Sequence, residues 1–168
     1  MDAILTRRSI RKYTSDPVPD DVVEQLLRAA MAAPSANNQQ PWHFIVVRDR
    51  ELLNAVPTYQ PYTQMLREAP LAIVVCGDPQ ASPFGQFWVQ DCSAATENLL
   101  LAAHALGLGA VWLAVYPEQK WVDETRKLFR IPENIVPLAI VSIGYPAEEK
   151  PPAERYNPER VHRDRWGG

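Results

Sequence analysis

Ala94-Ala95-Thr96-Glu97-Asn98-Leu99-Leu100-Leu101-Ala102-Ala103-His104-Ala105-Leu106-Gly107-Leu108-Gly109 is the stretch on which the fold turns. The run from Phe87 to Leu106 predicts one long helix. From Ala94 onward it is apolar on nearly every side, with Glu97, Asn98 and His104 as the exceptions. A helix that is apolar all round must be covered all round. In a chain of 168 residues a second copy of the subunit is a natural cover. The glycines that follow read as a helix C-cap and a turn into a strand. No GxGxxG follows any predicted strand, so a dinucleotide-binding Rossmann domain is not expected.

Working outward, the predicted strands are His43–Arg48, Leu71–Cys76, Ala110–Val115 and Val136–Ile143, with Arg160–Trp166 as a fifth, extended arm. Leu71–Cys76 is a continuous apolar run between Pro70 and Gly77, as expected of a buried strand. Helices are predicted over 2–6, after the extended Pro17-Val18-Pro19, near 50–56, as a turn at 64–68, and over 118–129. Asp20 or Asp21 would cap the second of these, with Glu24 three residues after Asp21. Val22, Val23, Leu26, Leu27 and Ala30 mark its apolar face, and Pro34 stops it. Helices and strands do not alternate regularly, so the fold class is α+β: a central sheet flanked by helices, in a single domain over residues 1–168.

Composition narrows the function. The net charge of −3 gives no attraction to nucleic acid, but its distribution is uneven. Residues 1–12 carry +3 and residues 150–168 carry +2, on a body of −8. If the two ends converge, they form a small anion site on a protein that otherwise repels anions. Cys76 and Cys92 read as buried free thiols, suited to a reducing compartment. No signal peptide or membrane span is evident at the sequence level, and a cytoplasmic protein is expected. His43, His104 and His162 lack metal-ligand spacing, so no metal is expected. Ser9, Ser35 and Ser93 sit in no GxSxG. With no triad, metal cluster or carboxylate pair, an enzyme of this sequence would rely on a cofactor for its chemistry.

Two segments point to that cofactor. Arg7-Arg8-Ser9-Ile10-Arg11-Lys12-Tyr13 packs four cations and a hydroxyl into six residues. Guanidinium forks with a hydroxyl suit a phosphate. Pro34-Ser35-Ala36-Asn37-Asn38-Gln39-Gln40-Pro41-Trp42 is rich in small and amide side chains, which leave room for a flat ligand and can bond its heteroatoms. Together with Asp91–Ala103, Gly107-Leu108-Gly109-Ala110-Val111-Trp112 and Val161-His162-Arg163-Asp164-Arg165-Trp166, the pair resembles the nitroreductase family of FMN flavoproteins over nearly the whole chain.

The resemblance implies a mainly antiparallel sheet, a long dimer helix and a C-terminal arm exchanged in a homodimer, with FMN at the interface. It assigns Arg7, Arg8 and Ser9 to the phosphate, joined by Arg155 and less securely by Lys150. Arg11 goes to the pyrimidine edge of the ring, with Gln64 as a helper. Pro34, Ser35, Ala36 and Asn38 would contact the ring from the other subunit. Trp112, Leu113 and Ala114 would lie along the opposite ring side and offer backbone N–H to N5, although many relatives have an acid-glycine pair there. The implied activity is hydride transfer from NADH or NADPH through FMN to a small acceptor such as a nitroaromatic or quinone, in ping-pong order, with no side chain required as acid or base. Two alternatives stay open: a non-catalytic FMN-binding or storage protein, and an interaction domain whose arginines hold another anion.

Overall fold

The computed structural model describes residues 1–81 and 83–167. Four strands form one antiparallel sheet: β1 (Trp42–Val47), β2 (Leu71–Gly77), β3 (Gly109–Ala114) and β4 (Val136–Gly144), in the spatial order β1-β2-β4-β3. Among the described residues five α-helices accompany it: α1 (Asp2–Thr6), α2 (Asp20–Met31), α3 (Arg50–Tyr59), α4 (Trp88–Ala105) and α5 (Gln119–Phe129). This is the expected α+β class. The expected turn at 64–68 overlaps a 3-10 helix over Pro61–Arg67, with Glu68 as its C-cap.

The central strand β2 is buried along its whole length. Its side chains alternate between two cores, as the period of a strand requires. Leu71, Ile73 and Val75 pack with Leu26 of α2 and Leu99 of α4. Ala72, Val74 and Cys76 pack on the other face with Leu53 of α3 and Val122 of α5. α2 buries Val23, Leu26 and Ala30, a stripe at helical spacing. Both cysteines are free and buried, and burial pushes each thiol up to about 12.

α4 ends as its sequence implies. Gly107 takes φ +77, and the N–H groups of Gly107 and Leu108 close the last turn on His104 O and Ala103 O. At Gly109 a Cβ would come within 2.6 Å of the Ile10 side chain, so the N-terminal segment lies directly on β3. One chain covers one side of α4, burying Cys92, Ala95, Leu99 and Ala103. Ala94, Leu101 and Ala102 stay half-buried and Leu106 is exposed. No helix among the described residues is long and apolar enough to cross a membrane.

Two expectations are corrected. Neither Asp20 nor Asp21 caps α2; Pro19 occupies the cap position and no side chain bonds the first turn. Asp20 instead pairs with Arg48 at 2.7 Å, so a tertiary partner takes its carboxylate away from the helix end. Residues 160–166 form no fifth strand: a 3-10 turn spans Pro158–Arg160, Val161 is extended without pairing, residues 163–165 bend and Trp166 enters a turn. An extended arm needs a neighbouring strand to satisfy its backbone, and within one chain 160–166 joins no sheet edge.

Candidate functional site

The two basic ends converge. Ser9 bridges Ala110 in parallel register and Ile10 N donates to Ala110 O at 3.1 Å, so the segment runs along the β3 edge. The chain after β4 returns to the same place. Thr14 N donates to Tyr145 O, and Ala147 N donates to Lys12 O. Glu148 Oε1 accepts from Arg11 N at 2.6 Å, while Lys150 Nζ donates to Ser9 O at 2.7 Å and lies 3.1 Å from Glu148. These contacts, with Arg11 N first, hold the Glu148 carboxyl below the usual value. Tyr13 fastens the segment from beneath. Its buried hydroxyl donates to Ile10 O and meets Ser142 Oγ at 2.6 Å, and burial pushes its pKa up.

The cations divide among three places. Arg7 is mostly covered and faces Glu97 of α4, with Nε 3.3 Å from Oε1. Arg8 donates to Pro151 O and lines a cavity of about 380 Å³ with Ile10, His104, Leu108 and Lys150. Arg11 lines a different cavity of about 530 Å³, together with Gln60, Gln64, Trp112, Leu113 and Ala114. Five of the expected ring-contact residues therefore share one cavity. Arg155 lies exposed on the C-terminal segment and lines neither cavity; Lys150 is the C-terminal cation that reaches Ser9.

The β3 wall of the larger cavity offers backbone groups. In an antiparallel edge strand, alternate residues turn both N–H and C=O away from the sheet. Ala110 and Ala114 do so: their carbonyls accept from Ile10 N and from Gln60 Nε2 at 2.5 Å. Trp112, between them, presents its N–H and C=O on the same edge. Its ring is half-buried against the core while lining the cavity. Trp42, by contrast, is a core residue.

Gln60 is the residue that sequence reasoning missed. It is 2% exposed, yet its Oε1 has no hydrogen-bond partner. A buried amide oxygen without a donor is costly, and this one belongs to a residue on the cavity wall. Its only local signal is an amide beside Pro61, at the start of the 3-10 turn that carries Gln64. Glu148 was missed as well, being brought to Arg11 by packing across 137 residues.

Pro34, Ser35, Ala36 and Asn38 line neither of these cavities. They precede β1, on the opposite edge of the sheet from β3. Three inter-strand spacings separate those edges, roughly 14 Å. Asn98 donates to Ala29 O at 3.1 Å and joins α4 to α2, a structural role. Among the described residues no group of His, Cys, Asp and Glu could hold a metal ion.

The nitroreductase family model matches residues 4–63 and 58–145. A relative from Archaeoglobus fulgidus, named "Putative NADH dehydrogenase/NAD(P)H nitroreductase", is 54% identical over 97% of this chain and 96% of its own length. A solved structure of the same name from Parabacteroides distasonis superposes with a TM-score of 0.95 at 45% identity, covering 98% of this chain and 97% of that one. The FMN-dependent nitroreductase from Clostridium difficile superposes at 0.91 with 32% identity, over 98% and 99% of the two chains.

Proposed function

The chain belongs to the nitroreductase family, and from that premise we propose that it is an FMN-dependent NAD(P)H oxidoreductase acting on a small nitroaromatic or quinone-like acceptor. The observation that carries the reading is the cavity joining Arg11, Gln60, Gln64 and the Trp112–Ala114 edge. The residues fit the group. The pyrimidine edge of a flavin offers an N–H donor between two carbonyl acceptors. Gln60 Oε1 is a buried acceptor in want of a donor, and Arg11 and Gln64 carry donors on the wall of the same cavity. The FMN dependence of the Clostridium difficile relative supports the same choice.

When bound, FMN would supply the redox chemistry between NADH or NADPH and the acceptor. The chain's own residues bind and tune. Arg11 sets a positive field at the pyrimidine edge. Trp112 N–H is the donor available on the opposite wall. Arg7, Arg8 and Ser9, with Lys150 bonded to the Ser9 carbonyl, would form the basic end for the phosphate, and Arg155 would join them from the exposed C-terminal segment. Pro34, Ser35, Ala36 and Asn38 would complete the site from a second copy. Their separation from β3 within one chain, and the half-covered α4, favour that arrangement.

Anaerobic mixing of the FMN-loaded protein with NADH or NADPH tests the activity. Bleaching of the flavin absorbance, followed by its return on adding a quinone, is the expected result. Stable yellow protein with both reductants would favour the storage reading instead.

A further inference from the structure

The turn after α2 carries three residues in the left-handed region, two of them asparagines, which tolerate it, and one a glutamine, which rarely adopts it. Asn37, Asn38 and Gln40 take φ of 50°, 53° and 47°, left-handed values uncommon for residues other than glycine. Such backbone persists only where its surroundings over-determine it. Part of the restraint is internal: Ser35 Oγ accepts from Gln40 N at 3.0 Å, and Asn38 Oδ1 accepts from Gln40 Nε2 at 2.8 Å. The rest comes from Asp91, in the first turn of α4. Asp91 is 5% exposed, and its carboxylate accepts from Ala36 N at 2.9 Å and from Gln39 Nε2 at 2.5 Å. The N-terminal end of a helix favours a negative charge there.

We propose that Asp91 is a positioning residue for the cofactor ring: its buried carboxylate fixes the Pro34–Gln40 turn so that Pro34, Ser35, Ala36 and Asn38 meet the ring in the site of a second copy. The inference rests on the proposed function, which assigns those four residues to the ring. The chemistry calls for an acid. Both partners are donors, so both oxygens must accept. Asparagine would set an amide N–H₂ against one of them. Turning the Gln39 amide does not repair this, because Gln39 Nε2 also donates to Phe84 O at 3.3 Å, and the turned amide would place oxygen against oxygen. α4 thus serves two ends: its middle meets the sheet core, and its first turn shapes a loop destined for the neighbouring site.

The test compares wild type, Asp91→Asn and Asp91→Ala for FMN affinity, riboflavin affinity, visible circular dichroism of the bound flavin, and thermal unfolding of the cofactor-free protein. Loss of the charge-assisted contacts that fix the turn predicts a drop in affinity of up to roughly ten- to a hundredfold, the limit being their full contribution. The loss is expected to be equal for FMN and riboflavin, with an altered visible dichroism, because the phosphate end is untouched. A lower melting temperature with unchanged affinity and dichroism would overturn the proposal, leaving Asp91 a purely structural residue. If both variants fail to fold, Gln39→Ala removes one of the two bonds at a half-buried position. A smaller loss in the same direction supports the proposal, and no change in either flavin readout overturns it. Wild-type protein that binds neither flavin would sink the function reading itself, a distinct failure visible before any variant is made.

Discussion

Replacing Arg11 by Gln keeps a donor at the cavity wall and removes its charge. Arg11 is exposed at the rim of the 530 Å³ cavity, and its backbone is fixed by Glu148. The Glu148 charge is itself countered by Lys150 at 3.1 Å, so the Arg11 guanidinium is left as the net local charge facing the cavity. Reduction of a flavin adds negative charge at its pyrimidine edge. At an effective dielectric near 20, unit charges about 4 Å apart interact by about 4 kcal/mol. Solvent at an open rim reduces that to about 1–2 kcal/mol, or roughly 20–45 mV for a two-electron couple. Arg11→Gln should therefore lower the midpoint potential by that amount and slow reduction by NAD(P)H, with FMN still bound. Potentiometric titration of the bound flavin reads it directly. An unchanged potential at full occupancy would refute the placement of Arg11 at the ring.

Other expectations follow from the same contacts. Arg7→Ala should weaken FMN by roughly ten- to a hundredfold while leaving riboflavin nearly unchanged; equal losses in a fluorescence titration would move Arg7 away from the phosphate. Glu148 has a folded pKa below its ordinary value of 4.5, so the stability it contributes is complete above that value and is lost as pH falls through the folded one. The melting temperature of Glu148→Gln should thus fall below wild type at neutral pH, with the gap closing as the pH drops below the ordinary carboxylate range; a gap that does not change with pH would contradict the carboxylate contact. Cys76 and Cys92, buried and pushed up to about 12, should resist a thiol reagent in the native protein and react fully in denaturant. Rapid native labelling of either would place it at the surface.

Much of the fold was legible because local signals and burial agree. β2 is an unbroken apolar run and is central in the sheet; Gly107 takes the left-handed turn that its position after α4 implies. The failures share a cause, a distant partner that local sequence does not name. Asp20 left the helix cap for Arg48. Residues 160–166 carry no strand because nothing in the same chain pairs with them. Arg11, Gln64 and Trp112–Ala114, singled out from the resemblance, line one cavity. Gln60, Glu148 and Asp91 were not assigned roles, since each acts through a contact made only on folding: an amide on a strand-end carbonyl, a carboxylate on a backbone N–H, and a helix acid on a remote turn. Trp112 could be singled out within 112–114 only once the edge pairing of β3 was known.

The most direct measurement is a titration of the cofactor-free chain with FMN, followed by flavin fluorescence and combined with sedimentation of the saturated complex. Saturable binding at micromolar or lower concentration, one FMN per chain, in a particle of two chains, is the expected result. Absence of saturable binding at micromolar FMN, or a fully loaded monomer, would contradict it.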